Sequence, residues 1–127
     1  MSYLFGSGAT VAQQASQNVA AYRKNRQNQF DIVYNAIIKD MRTKVLSISL
    51  DDGALKCSYN ILNFDTKSLL GTTFDYTDDE YNKIVTKITD FLTKEDFIFH
   101  GSVASDFSIQ WSDPEQVLEM KETIVKK

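Results

Sequence analysis

The chain has 127 residues and a mass of 14.5 kDa, the size of one globular domain. Hydrophobic residues make up 43% and charged residues 24% of the chain, values that exclude a collagen-like or wholly disordered protein. The net charge of −3 and an isoelectric point near 5.1 argue against nucleic-acid binding by the chain as a whole.

Residues 1–29 are predicted to form an N-terminal arm. An apolar tip, Tyr3-Leu4-Phe5, is followed by a Gly-Ser-Gly hinge, and Thr10 with Gln13 forms a capping box that begins an Ala/Gln-rich helix. Small and apolar residues recur along this helix at a spacing of three or four and form what we call the stripe: Val11, Ala15, Val19 and Tyr22.

The arm also differs from the rest of the chain in charge. It contains Arg23, Lys24 and Arg26, which we call the cationic segment, and no acidic residue. Residues 30–127 therefore carry 11 of the 14 basic residues against all 17 acidic ones. Such asymmetry is typical of an arm with its own partner.

The helical pattern continues beyond the arm. Neither Pro nor Gly occurs between Thr10 and Gly53, and after Arg26 the apolar spacing resumes. The residues of this second half are Phe30, Val33, Ile37 and Met41. Two interpretations remain open: one long helix over about residues 9–43, or two helices broken near residues 25–28.

A β-hairpin is predicted next. Leu46, Ile48 and Leu50 alternate with polar residues, an Asp-Gly turn follows at Gly53, and alternation resumes over residues 55–61. Alternating residues at Leu70, Thr72, Phe74 and Tyr76 predict a further strand.

The remaining elements are a helix, a hairpin and a helix. Thr77 and Glu80 form a second capping box, with Tyr76 and Tyr81 placed as a hydrophobic staple, and the helix runs to Leu92. A hairpin follows over residues 97–111, and a last helix begins near Pro114.

The predicted order, α-β-β-(β)-α-β-β-α, is typical of an α+β fold. We expect an antiparallel sheet of four to five strands with helices on one face, in a single domain over residues 30–127 preceded by the long helical arm. Six apolar positions from Phe30 to Ile48 recur 51 residues later, from Tyr81 to Phe99. An internal duplication and a chance match between two helix-hairpin units both explain this recurrence.

The residue types needed for catalysis or metal binding are scarce. One cysteine, Cys57, and one histidine, His100, provide neither an internal disulfide nor a four-ligand zinc site. We expect Cys57 to be a buried thiol and His100 to lie on a strand. The sequence therefore predicts no catalytic residue, metal site, cofactor or small-molecule substrate, and a protein that is not an enzyme.

The single cysteine is typical of a reducing, cytoplasmic or other intracellular compartment. No apolar run approaches about 18 residues, so we expect no membrane span. The first residues lack a basic region and a long apolar core, so no cleaved secretory signal is expected either.

Intermolecular association is the function that the arm favours. A helix with so few large apolar residues is marginal in water by itself, so we expect it to contact a protein partner or another copy of the chain. The predicted contact residues are Tyr3, Leu4, Phe5, Val11, Ala15, Val19 and Tyr22. The first hypothesis is a non-catalytic structural or assembly subunit, for example of a virion or another large particle.

Two other hypotheses remain. The cationic segment Arg23, Lys24 and Arg26 could contact an acidic protein or, weakly, nucleic acid. Over residues 28–127, the predicted element order resembles that of the small, acidic, dimeric chaperones of type III secretion. That resemblance implies a dimer that binds extended segments of client proteins.

Overall fold

The computed structural model describes residues 10–115. In chain order they form α1 (Val11–Asp52), β1 (Lys56–Tyr59), a 3₁₀ helix (Ile61–Asn63), α2 (Thr66–Leu70), α3 (Asp78–Lys94), β2 (Ile98–Gly101) and β3 (Phe107–Gln110). The α+β class and the long N-terminal helix are confirmed. The predicted apolar tip and most of the predicted last helix lie outside the described residues.

Contacts divide the chain into two compact units, Met1–Tyr34 and Asn35–Lys127. The boundary between them falls within α1.

Helix α1 is one continuous helix of 42 residues, so the prediction of a single helix is confirmed and that of a break near residues 25–28 is wrong. Its start is the predicted capping box: the Thr10 backbone N–H donates to Gln13 Oε1 at 2.8 Å, and the Gln13 N–H donates to Thr10 Oγ1 at 3.1 Å. These bonds satisfy amide groups that the first helical turn leaves without partners.

The predicted first hairpin is wrong, because Leu46, Ile48 and Leu50 belong to α1. Extending an existing helix adds a hydrogen bond per residue, whereas a strand would have to begin anew, and no Gly or Pro stops the helix before Gly53. Buried Val45, four residues after buried Met41, continues the helical period that the alternation concealed. Gly53 has a φ of 63°, as is typical of a residue that follows a helix.

The sheet has three antiparallel strands in the order β1-β3-β2, fewer than the four to five predicted. β1 pairs with β3 rather than with residues 46–50, and Cys57 lies opposite Ile109. The predicted second hairpin is confirmed as β2 paired with β3. One face of the sheet is buried, at Cys57, Tyr59, Phe107 and Ile109.

The predicted strand over residues 70–76 is also wrong. Asp65 caps α2 by accepting a hydrogen bond from the Ser68 N–H at 3.1 Å, and α2 ends at Gly71, which has a φ of 82°. Both are local signals for a short helix, and they override the alternation that follows.

Helix α3 is confirmed with its capping box, in which Glu80 N–H donates to Thr77 Oγ1 and Thr77 N–H donates to Glu80 Oε1. Its C-terminus has the Schellman pattern: Phe97 N–H donates to Leu92 O and Asp96 N–H to Thr93 O. This pattern places Asp96 in the left-handed region, with a φ of 61°.

Two expectations that depended on the predicted hairpins are therefore wrong. The helix-hairpin recurrence at an offset of 51 fails in its second half, since Leu46 and Ile48 are helical whereas Phe99 lies in β2. The element order that resembled the type III secretion chaperones is likewise not found in the described residues, because residues 46–50 belong to α1 and residues 71–76 form no strand.

The core of the unit Asn35–Lys127 combines the buried face of the sheet with one buried side of α1 and one buried side of α3. From α1 come Ile37, Ile38, Met41 and Val45, and from α3 come Ile84, Ile88 and Leu92. These side chains recur every three or four residues, which keeps them on one side of each helix.

Candidate interaction surfaces

The described part of the arm has no buried side chain. From Thr10 to Gln29 every residue is exposed or half-exposed, and the first buried residues of α1 are Phe30 and Val33. The stripe predicted from the sequence is exposed throughout: Ala15 is open to solvent, Val19 is 47% exposed and Tyr22 is 67% exposed. The arm therefore presents an apolar helical face.

The cationic segment lies at the end of this face. Arg23 and Lys24 are exposed and Arg26 is half-buried. Arg26 follows Tyr22 by four residues, so it lies on the same side of the helix as the stripe. A partner that covers the stripe would consequently also meet positive charge.

A second surface, which sequence reasoning missed, lies before the start of α3. A groove of about 690 Å³ opens there, and its walls include Phe64, Phe74, Tyr76 and Tyr81 with the carboxylates Asp75 and Asp78. We call these six residues the aromatic groove. The volume falls in the range of about 300–1,000 Å³ typical of ligand pockets.

Local contacts hold the aromatic groove in shape. The buried Thr66 Oγ1 accepts a hydrogen bond from the Phe74 N–H at 2.9 Å, which ties the start of α2 to the segment before α3. The ring centroids of Phe74 and Tyr76 are 5.1 Å apart, and those of Tyr76 and Tyr81 are 5.7 Å apart, both edge to face. The latter contact confirms the predicted staple.

Two tyrosine hydroxyls of the groove differ in their partners. Tyr81 Oη donates to the carbonyl of Ala104 at 2.6 Å. The hydroxyl of Tyr76 is buried and has no hydrogen-bond partner among the described residues. Burial, followed by the proximity of Tyr81 and Glu80, raises the pKa of Tyr76 to about 12. Tyr76 is therefore a neutral hydroxyl able to accept or donate a hydrogen bond.

Negative charge surrounds the groove. Asp78, Asp79 and Glu80 form the first turn of α3, where the helix dipole favours carboxylates. Asp75 and Asp78 line the groove itself. An apolar floor with acidic walls is suited to a ligand that is both positively charged and partly apolar.

The cysteine and the histidine are held apart by the sheet. Cys57 lies on the buried face, where desolvation raises the pKa of its thiol, with a smaller opposing effect of Lys44. His100, in β2, lies on the exposed face, 3.2 Å from Gln110 Oε1 through Nε2. A thiol is activated by a neighbouring base or by exposure to positive charge. The described structure therefore does not bring Cys57 and His100 together as a nucleophile and its base.

A smaller pocket of about 290 Å³ has a polar lining. In it Tyr59 Oη donates to Asp40 Oδ2 at 2.7 Å, and Lys44 Nζ donates to the carbonyl of Ser58 at 2.5 Å. Burial and the bond to Asp40 raise the pKa of Tyr59. These polar groups are already paired with one another, so we assign them a structural role.

Within residues 10–115, no group of three His, Cys, Asp or Glu side chains is arranged to hold a metal ion. No helix in this part of the chain is long and apolar enough to cross a membrane.

The signal for the aromatic groove was present in the segment Phe74–Tyr81, where aromatic and acidic residues are interleaved. Local patterns predict a strand for its first half and a helix cap for its second half. What the pattern could not show is that Phe64, ten residues earlier, lines the same groove.

Comparison of the chain with protein-family models, with curated proteins and with solved structures finds no match in any of the three.

Proposed function

We propose that this protein is a non-catalytic structural or assembly subunit that contacts a neighbouring protein chain through its N-terminal arm. The observation that carries the proposal is the exposure of the described arm: residues 11–29 are helical, yet none of their side chains is buried. A helix without tertiary packing is marginal in water, because most helical stability in proteins comes from burial of one face.

The stripe supplies the face that a partner would bury. Its side chains are small apart from Tyr22, so a partner helix can approach closely. Burying a Val or an aromatic side chain contributes about 1.5–3 kcal/mol, and Val11, Val19 and Tyr22 are all exposed. An intermolecular contact would thus stabilise the arm as a helix.

A repeating assembly is the concrete form of this proposal. An arm that reaches a neighbour is a common way to link identical or related subunits, and a virion or another large particle is one setting for it.

Sedimentation velocity of the full chain tests the proposal. We expect Val19→Asp with Tyr22→Asp to weaken association, since it places two charges on the stripe. The matched control, Gln17→Asp with Ala20→Asp, adds the same charge on the opposite side of the helix and should leave association unchanged. Equal effects of the two variants, or a monomer at every concentration, would contradict the proposal.

Limited trypsin digestion provides an independent measurement. Trypsin cleaves after Arg and Lys, so the cationic segment reports directly on exposure of the arm. We expect fast cleavage after Arg23 and Lys24 in dilute solution and protection as the concentration rises. Protection that is complete even in a dilute monomer would show that the arm packs on its own chain.

Weak nucleic-acid binding is a second candidate, favoured by the exposure of Arg23 and Lys24 on an acid-free helix. Three cations can release about three counterions, so binding should be detectable only at low salt. Substitution of Arg23, Lys24 and Arg26 by Ala should abolish retention of single-stranded DNA or RNA. If the wild-type chain is not retained, or retention survives the substitution, this candidate is wrong.

A further inference from the structure

We propose that the aromatic groove is the receptor for the arm: it binds the cationic segment of a second copy of this chain. The inference rests on the proposed function and names the partner that the proposed function leaves open.

The rings of the groove are suited to a cation. Tyr76 and Tyr81 are half-exposed rings that meet edge to face at a centroid separation of 5.7 Å, and the buried ring of Phe74 packs against Tyr76 at 5.1 Å. An Arg or Lys head within about 6 Å of a ring centroid is attracted by the negative face of the ring. The protein already contains two contacts of this kind elsewhere, Arg42 over Phe91 at 5.1 Å and Lys44 over Tyr59 at 5.7 Å.

The carboxylates of the groove supply the charge. Asp75 and Asp78 line it, and Asp79 and Glu80 extend the acidic surface along the first turn of α3. The arm has the opposite sign, with three cations and no acidic residue in positions 1–29. Complementary charge of this type selects the partner and its orientation more than it sets the affinity.

The hydroxyl of Tyr76 supplies a hydrogen-bond acceptor that would orient the cation. It is buried without a hydrogen-bond partner among the described residues, which is costly for a polar group. Its oxygen can accept a hydrogen bond from a guanidinium or ammonium N–H. This oxygen is closed to solvent, so a cation in the groove would reach it through a small rotation of the Tyr76 ring and would pair a group that has no partner among residues 10–115.

The occupant is a second copy because every copy carries both surfaces. The long aliphatic stems of Arg and Lys would cover the apolar floor while their heads reach the carboxylates. A contact between two different surfaces either is exchanged reciprocally within a dimer or continues from copy to copy as a ring or filament. Each of these forms fits an assembly subunit.

Two charge-reversed full-length chains test the inference. In the arm-reversed chain, Arg23→Glu and Lys24→Glu replace the exposed cations, and in the groove-reversed chain, Asp75→Lys and Asp78→Lys replace the carboxylates. By sedimentation velocity at low salt, we expect each chain alone to associate about 10- to 100-fold more weakly than wild type. An equimolar mixture of the two should recover association, since it restores opposite charges across the contact.

Two control chains have the same changes in net charge away from both surfaces. Lys39→Glu with Lys56→Glu matches the arm reversal, and Asp52→Lys with Asp90→Lys matches the groove reversal; all four residues are exposed. Both controls should associate as wild type does. In the recovered mixture, hydrogen exchange should slow over residues 73–82, the segment that contains most of the groove.

The outcomes separate this inference from the proposed function. If arm reversal weakens association and groove reversal does not, the groove is not the receptor, while the arm remains the contact. If neither reversal weakens association and the Asp substitutions of the stripe have no effect either, both proposals are wrong. Recovery in a chain carrying both reversals without recovery in the mixture would indicate a contact within one chain and overturn the inference.

A second variant tests the groove independently, in case the groove-reversed chain does not fold. Tyr76→Phe keeps the ring and removes only the hydroxyl, so the fold should be retained. We expect about tenfold weaker self-association, the effect of losing one hydrogen bond to a charged group. Tyr59→Phe removes a hydroxyl that bonds Asp40 and does not line the groove, so it is the control and should leave association unchanged. Equal association of Tyr76→Phe and wild type would overturn the role of the hydroxyl and, with an unaffected groove-reversed chain, the whole inference.

Discussion

The described arm and α3 begin in the same way and end in opposite environments. Thr10 with Gln13 and Thr77 with Glu80 are both complete capping boxes. Yet α3 buries Ile84, Ile88 and Leu92 completely, whereas residues 10–29 bury no side chain. Capping therefore determines where a helix starts, while the burial of one face determines whether the helix is stable without a partner.

The difference follows from side-chain size at the same spacing. In α3 the positions every three or four residues carry Ile, Phe and Leu, and in the arm they carry Ala and Val with a single Tyr. Large side chains remove enough apolar surface from water to offset the conformational entropy of ordering the helix. The small ones of the arm do not, unless another chain covers them.

Truncation of one buried side chain in α3 should have the largest effect on the free energy of unfolding, far larger than a truncation in the arm. Ile88 is 0% exposed, so Ile88→Ala should lower the free energy of unfolding by about 2–5 kcal/mol. Val19→Ala in the arm should change it by less than about 0.5 kcal/mol in the unassociated chain. Urea denaturation of both variants at low protein concentration provides the measurement. A cost for Val19→Ala close to that for Ile88→Ala would mean that the arm is buried in solution.

Removal of the two helix caps should have a smaller effect. Thr77→Ala should lower the free energy of unfolding by about 1 kcal/mol, because Glu80 N–H loses its acceptor. Thr10→Ala should leave the urea midpoint unchanged and reduce only the helical signal in far-ultraviolet circular dichroism, since its helix start is exposed. A shift of the midpoint by Thr10→Ala would contradict this expectation.

A glycine at the C-terminus of α3 should stabilise the protein slightly. Asp96 has a φ of 61°, a conformation that glycine adopts without a steric penalty. Relief of this penalty in Asp96→Gly should raise the free energy of unfolding by about 0.5–1 kcal/mol. The greater conformational entropy of glycine in the unfolded chain offsets part of this gain. Thermal unfolding should show a higher melting temperature for Asp96→Gly and a lower one for Asp90→Gly, because Asp90 lies inside α3, where glycine is unfavourable.

High pH should lower the stability of the unit Asn35–Lys127 through Tyr76, and this effect should vanish at neutral pH. The pKa of Tyr76 is raised from 10 to about 12 by burial, so its neutral form is favoured in the folded chain. Stability from this group is complete below pH 10 and is lost as the pH rises through 12. Denaturant midpoints should therefore fall less steeply over this range in Tyr76→Phe than in wild type. Identical slopes would show that Tyr76 ionises as freely in the folded chain as in the unfolded one.

Local patterns predicted some elements well and others wrongly, for a physical reason. Helix α3, its capping box and the β2-β3 hairpin were predicted because their signals lie within a few residues of each other. Leu46, Ile48 and Leu50 were assigned to a strand because alternation was counted without the helix that already led into it. Alternation over residues 70–76 predicts a strand, but Leu70 ends α2 and the Phe74 N–H donates to Thr66 Oγ1 rather than to a neighbouring strand.

The candidate surfaces divide along the same line. The stripe and the cationic segment were recognised from the sequence, because their residues are neighbours on one helix. The aromatic groove was not, because Phe64 and Tyr81 are 17 positions apart in the chain and line one groove only in the folded structure. The pairing of Cys57 with Ile109, across 52 positions, was equally invisible to local patterns.

By itself, the amino-acid sequence determined the α+β class, the helix starts at Thr10 and Thr77, and the separation of an acid-free arm from an acidic remainder. These properties depend on side-chain size, capping chemistry and charge within short segments. Only the tertiary structure decided which strand pairs with β1, that α1 continues to Asp52, and that an acidic, aromatic groove forms before α3. Pairing and cavities depend on contacts between residues far apart in the chain, and such contacts are decided by which arrangement buries the most apolar surface.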